Sequence, residues 1–112
     1  MNLLSRLTIV CGAVCVAAPA YAGSDGARLS KVAVQDNRVI LHANGGWSSS
    51  VNDGCDSEAT VQFDGTTPSG ELLYRQAVSA FLAGKPVEVR TSGCIGSPGQ
   101  TRPRVEGIVI ND

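Results

Sequence analysis

The sequence predicts a small, mainly β domain with one helix, its elements in the order β-β-β-α-β-β. Three observations predict it. Short segments along the chain alternate apolar and polar residues, the pattern of half-buried strands. One stretch alone, residues 70–83, carries apolar residues at three- and four-residue spacing. That stretch stops at Gly84, with Pro86 two residues on, and a further alternating segment follows at once.

The first 22 residues are expected to stand outside the domain. Arg6 is basic, residues 7–18 are apolar, and Ala20-Tyr21-Ala22 has the small-x-small form of a signal-peptidase site. The apolar run is too short to span a bilayer comfortably. The expected products are a cleaved signal peptide, residues 1–22, and a single mature domain, residues 23–112. Cys11 and Cys15 leave with the signal. Val10 and Val14 precede them where a lipoprotein precursor carries a small residue, so no lipid anchor is expected.

Taken in order, residues 23–26 read as a flexible start. Residues 28–35 place Leu29, Val32 and Val34 in a loosely alternating first strand. Asp36-Asn37 suits a tight hairpin turn. Residues 38–43 form the second strand, with Val39, Leu41 and Ala43 on one side and Ile40 and His42 on the other. Asn44-Gly45-Gly46 is a turn, residues 47–51 read as a loop rather than a short extra strand, and Asn52-Asp53-Gly54 turns again. The third strand is residues 59–64, through Ala59, Val61 and Phe63. In the helix, Ser69 is the expected N-cap, and Glu71 suits the positive end of the helix dipole. Leu72, Leu73, Gln76, Ala77, Ala80 and Phe81 make the expected buried face, widened by Tyr74, Val78 and Leu82. A helix this apolar calls for cover on more than one side, from its own core and from a partner. Residues 87–91 are the fourth strand, residues 95–103 a long surface loop, and residues 104–111 the fifth strand. Five strands with a helix between the third and fourth is the order of a five-stranded OB-like barrel, the oligonucleotide/oligosaccharide-binding fold. A helix lying across an open five-stranded sheet has the same order.

Composition excludes some partners. The formal net charge is −1, and losing Arg6 makes it more negative by one. The charges form no run, which argues against nucleic acid and against anionic membrane surfaces. No membrane insertion is expected once the signal is removed. Cys55 and Cys94 remain in the mature chain. In an oxidising compartment a disulfide is the default reading, two free thiols the alternative. A bridge closing about 40 residues stabilises by roughly 3–4 kcal/mol on the chain-entropy view.

The residues from Cys55 to Cys94 also carry a resemblance. Cys55, the strand TVQFD, Thr67-Pro68-Ser69-Gly70, the helix end AFLAGKPVEV and Ser92-Gly93-Cys94 resemble a group of small exported bacterial single-disulfide proteins of unassigned function. LLYRQAVSAFLAGKPVEV is more distantly similar to the OB-fold B subunits of subtilase-cytotoxin-like and pertussis-like toxins. Those subunits form rings of five, line the pore with their helices and bind sialylated glycans. The first resemblance covers about half of the mature chain and implies one bridge between its two cysteines. The second covers the helix and the fourth strand only and implies a homo-oligomer. The chain departs from the toxin subunits in having one cysteine pair and fewer aromatics, and no glycan-site residue maps onto it.

Catalytic chemistry has little to stand on. His42 is the only histidine, no G-x-S-x-G occurs, and a strand histidine at the sheet surface is the favoured reading. No Cys/His cluster has zinc spacing, and Asp53, Asp56 and Glu58 lack the ligand count of a known calcium loop. GSPG at residues 96–99 lacks the strand-to-helix setting of a phosphate loop. No cofactor and no metal are expected. The candidate binding residues are Trp47, Ser48, Ser49 and Asn52, an aromatic plate beside hydroxyls and an amide as a sugar or peptide site would use. A lid folded back on the barrel is the more favoured role for Trp47. Arg102 and Arg104 flank Pro103 and could hold a carboxylate in forked geometry, against the blander reading of a solvated loop. The expectation is a periplasmic or secreted, non-enzymatic binding module for a glycan or an envelope or host protein, in an oligomer resembling a toxin B subunit. The alternative is an inhibitor or immunity-type protein that blocks an enzyme with residues 95–103.

Overall fold

The computed structural model describes residues 22–112, with side chains from residue 26 onward. The signal peptide expected over residues 1–22 lies, except for Ala22, outside the described residues. Among them are five strands and one α-helix: β1 (Ala22–Gln35), β2 (Arg38–Ala43), β3 (Val61–Asp64), α1 (Pro68–Ala83), β4 (Pro86–Ile95) and β5 (Arg102–Ile110). The expected order holds. Hydrogen-bonded neighbours run β1-β2-β3-β5-β4, and β1 also pairs with β4, so the strands close into a ring.

A ring of five needs one strand to serve two neighbours at its two ends. β1 does this, and it corrects the reading of residues 23–26 as a flexible start. Its first half pairs with β4, from Ala22↔Thr91 to Arg28↔Pro86, and its second half with β2, from Leu29↔Ala43 to Gln35↔Arg38. Gly26, at a φ of 76°, lies within the first register shift, between Ser24 and Ala27. A second shift, between Leu29 and Lys31, changes which side chains face inward. Leu29 is therefore buried, Val32 half-buried and Val34 exposed.

Asp36 and Asn37 both have positive φ, 51° and 67°, as a two-residue hairpin turn requires. β2 matches its expected bounds, with Val39, Leu41 and Ala43 buried. Residues 47–51 are not strand: a 3₁₀ turn, Ser49–Val51, buries Val51 instead. β4 runs on to Ile95, past the expected stop at residue 91. Gly93 takes a φ of 68° in an irregular stretch where two β4 residues face one residue of β5, and pairing resumes at Cys94↔Pro103. The expected loop over residues 95–103 thus shrinks to residues 96–101, and Pro103 is fully buried in β5.

The helix starts two residues earlier than expected and has a different cap. Thr67, not Ser69, accepts from the Gly70 N–H at 2.9 Å, because Pro68 already occupies the first helical turn. Gly84 ends α1 in the left-handed conformation, φ 66°. The Arg28 guanidinium donates to the Gly84 carbonyl, tying that end to β1. The buried stripe of α1 is Gly70, Ala77 and Ala80, with Leu73 packed partly in, and it lies on β1 and β5. The larger residues assigned to the buried face point elsewhere: Leu72 is 65% exposed, Leu82 77%, and Tyr74 and Phe81 about two-fifths. Small side chains let the helix axis come close to the strands, and the bulky ones are left outside.

Inside the ring, Leu41, Val51, Val61, Val87 and Val89 are fully buried, with Phe63, Val105 and Trp47 around them. Buried Thr91 donates its hydroxyl to the Val51 carbonyl at 3.1 Å, so its polar atom is satisfied. The Cys55–Cys94 disulfide, Cα to Cα 5.6 Å, joins the connection before β3 to the end of β4. A largely buried disulfide fits a periplasmic or extracellular protein. No helix of the described residues is long and apolar enough to cross a membrane.

Candidate functional site

The sequence-predicted residues do not gather into one site. Trp47 follows Gly45 and Gly46, whose φ values of 78° and 83° turn the chain back on itself. The ring is only 7% exposed, and its N–H donates to the Leu41 carbonyl at 2.9 Å. It is a lid on the core, as the favoured reading expected, and offers no face for stacking, which corrects its candidacy as a binding residue. Ser48 and Ser49 remain outside, and the Ser48 hydroxyl lies 2.6 Å from that of Ser50. Asn52 is committed to structure: its amide donates to Glu58 at 2.9 Å and its oxygen accepts from the Cys55 N–H at 2.7 Å.

The carboxylates considered for calcium are likewise dispersed. Asp53 accepts from the Gly93 N–H at 2.6 Å, Asp56 binds Thr101, and Glu58 takes the Asn52 amide. Among the described residues no group of three or more His, Cys, Asp or Glu side chains is placed to hold a metal. His42 sits half-buried on the outer side of β2, opposite Lys31.

Arg102 and Arg104 part company. Arg104 lies over the Gly93 bulge, where its Nη2 donates to the Cys94 carbonyl at 3.2 Å. It lines an open groove of about 730 Å³ between α1 and β5, together with the acidic Asp64 and Glu106. Arg102 lines a smaller concavity of about 260 Å³ on the outer face of β2 and β3, with Gln35, Asp36, Arg38, Ile40, Gln62 and Gln100. The larger groove offers room but sets its one arginine among acids. The smaller one brings two guanidinium groups and three carboxamides together with one carboxylate, Asp36.

This polar concavity is built by three parts of the chain. The β1–β2 turn sets Gln35 beside Arg38, its ladder partner. Period-two alternation puts Arg38 and Ile40 outward while Val39 and Leu41 fill the core. Gln62, on β3, stands opposite Ile40 of β2 and opposite Arg104 of β5. The loop after β4 adds Gln100, and the first residue of β5 adds Arg102. Arg38 makes a long contact to the Gln62 oxygen at 3.4 Å, and the Gln62 amide reaches Thr60 at 3.1 Å. Arg102 donates to the Thr101 carbonyl at 3.0 Å. Among the described residues the salt bridges are Lys85–Asp112 and Arg90–Glu88, so neither Arg38 nor Arg102 spends its charge on an ion pair. Their fields are still felt nearby. Hydrogen bonds from Thr66 chiefly, and Arg38 to a lesser degree, hold the Asp64 carboxyl below its usual range. Hydrogen bonds from Thr101 chiefly, with a small part from Arg102, do the same for Asp56.

Of the residues lining this concavity, sequence reasoning singled out Arg102 and not Arg38, Gln62 or Gln100. The available signal was alternation itself: in strands with one side fixed as core, the long polar residues of the other side must share a face. No protein-family model and no curated protein matches the chain.

Proposed function

We propose that the chain is an exported, non-enzymatic binding module on an OB-type barrel, and that it recognises a saccharide through the Arg38–Arg102 face. The single observation that carries this is the convergence of Arg38, Arg102, Gln35, Gln62 and Gln100 on one concavity. In OB barrels the outer face of the second and third strands, with the loops after the first and fourth, is where oligosaccharides and oligonucleotides bind. The strand order and the place of the helix support that fold name. Guanidinium groups offer donors in a fixed fork, and carboxamides offer a donor and an acceptor each. That set matches hydroxyls and carboxylates, and Ile40 gives a small apolar floor. The net negative chain disfavours a polyphosphate.

The test is an array of neutral and carboxylate-bearing oligosaccharides, probed with residues 23–112 and with the Arg38→Ala/Arg102→Ala double variant. Binding by the first and a loss of at least tenfold in the second is expected. Equal binding by both moves the site off this face. A second reading has its own support: residues 96–101 are pinned on one side by the disulfide and on the other by Asp56, as an inhibitory loop would be. It predicts stoichiometric retention of one enzyme, lost when residues 96–101 are replaced by a Gly-Ser segment of equal length. An oligomer belongs to the leading reading, with the exposed apolar side of α1 as its contact.

A further inference from the structure

We infer that Asp56 is the positioning residue of the Arg38–Arg102 face, holding the loop of residues 96–101 so that Gln100 and Arg102 line the concavity; this rests on the reading of that face proposed above. Asp56 sits in the connection before β3, 45 residues away in sequence from the Thr101 it holds. Its Oδ2 accepts from the Thr101 backbone N–H at 2.8 Å and from the Thr101 hydroxyl at 2.7 Å. The same hydroxyl accepts from the backbone N–H of Asp56 at 2.9 Å. One residue on, the Ser57 N–H donates to the Thr101 carbonyl at 3.3 Å. Every polar group of Thr101 is thus taken by two successive residues of another segment.

The effect passes straight to the face. Gln100 and Arg102 flank Thr101 and both line the concavity. Holding Thr101 at Asp56 therefore holds the backbone on either side of it, from which those two side chains reach the face. The Thr101 carbonyl that Ser57 fixes also receives the Arg102 guanidinium, at 3.0 Å. Next to Asp56 in sequence, Cys55 is bonded to Cys94. The disulfide therefore fixes the chain just before the loop and Asp56 fixes it at the loop's end. Within the loop the described backbone bond is local, from Gln100 N–H to the Ser97 carbonyl. A bond inside the loop shapes it without anchoring it.

The test uses residues 23–112 as wild type, Asp56→Ala and Asp56→Asn, with two readouts. Amide hydrogen exchange reads the loop. In Asp56→Ala the Thr101 amide should exchange at least tenfold faster while the Val89 amide in the core is unchanged, which separates local release from general unfolding. Asp56→Asn keeps an oxygen acceptor and should restore part of the protection. The oligosaccharide array reads the face: Asp56→Ala should weaken wild-type binding about tenfold, with Asp56→Asn in between. Unchanged Thr101 exchange in Asp56→Ala overturns the inference, and so does faster exchange with undiminished saccharide binding. If the wild type binds no saccharide on the array, the reading of the face fails by itself, and the exchange result still decides for or against Asp56 as the residue that orders the loop.

Discussion

Gly70 shows how one residue can reverse a general rule. Replacing a helical glycine by alanine ordinarily stabilises, by about 1 kcal/mol, because alanine loses less backbone freedom on folding. Here a Cβ at position 70 would stand 1.9 Å from the Asp64 carbonyl oxygen, a backbone atom that cannot rotate away. The first turn of α1 is pressed against the end of β3 and needs a hydrogen at that point. Gly70→Ala is therefore expected to destabilise, by about 2 kcal/mol net of the propensity gain. Urea denaturation of the two proteins checks it, and an alanine variant as stable as the wild type refutes the close approach. Trp47 is the residue-scale lesson in legibility. Its neighbours are glycines and serines, which leave open a plate in solvent beside the favoured lid on the barrel, and the lid is what the fold makes. Burial was decided by two left-handed glycines and by a carbonyl on β2, and neither the path of the chain nor that acceptor is visible from neighbouring residue types.

At the scale of elements, alternation and turn chemistry were legible, and irregularity was not. β2 and its hairpin turn were readable to the residue because nothing interrupts their period. β1, β4 and β5 were read short because bulges break the alternation while the pairing continues beyond them. The face of α1 was misread because apolar residues surround most of it, and hydrophobicity alone cannot then choose a side. Size chose it: Gly70, Ala77 and Ala80 share a stripe that permits close packing. The disulfide makes an element-scale prediction. It spans 39 residues and joins the two segments that frame the loop of residues 96–101. Replacing Cys55 and Cys94 together by Ala should cost roughly 3–4 kcal/mol, largely by freeing the unfolded chain. The urea midpoint should fall accordingly. A loss under about 1 kcal/mol would mean that the reduced chain is already constrained in its unfolded state.

For the molecule as a whole, the outer surface of α1 is the feature that a lone monomer leaves unexplained. Leu72 and Leu82 project from it at 65% and 77% exposure, and Phe81 and Tyr74 are about two-fifths exposed. Tyr74 shares a shallow hollow with Val34, itself 61% exposed, so the apolar surface runs on from the helix to the hairpin end of β1. A single exposed leucine is ordinary, but four large apolar side chains exposed on one helix are more than that. Under the proposed reading the contact is with further copies of the chain, and the Arg38–Arg102 concavity, on the outer side of β2 and β3, would be repeated in every copy. Repetition would raise the avidity of a shallow site that is weak alone. Light scattering on residues 23–112 should then give a mass above the monomer's, and Leu72→Glu/Leu82→Glu should return it to the monomer. Both positions are so exposed that the charges should alter monomer stability by no more than about 0.5 kcal/mol, so loss of assembly with an unchanged circular dichroism spectrum would locate the contact on α1. A wild type that stays monomeric across the concentration range would remove the oligomer from the reading and leave the polar concavity to act as a single, low-affinity site.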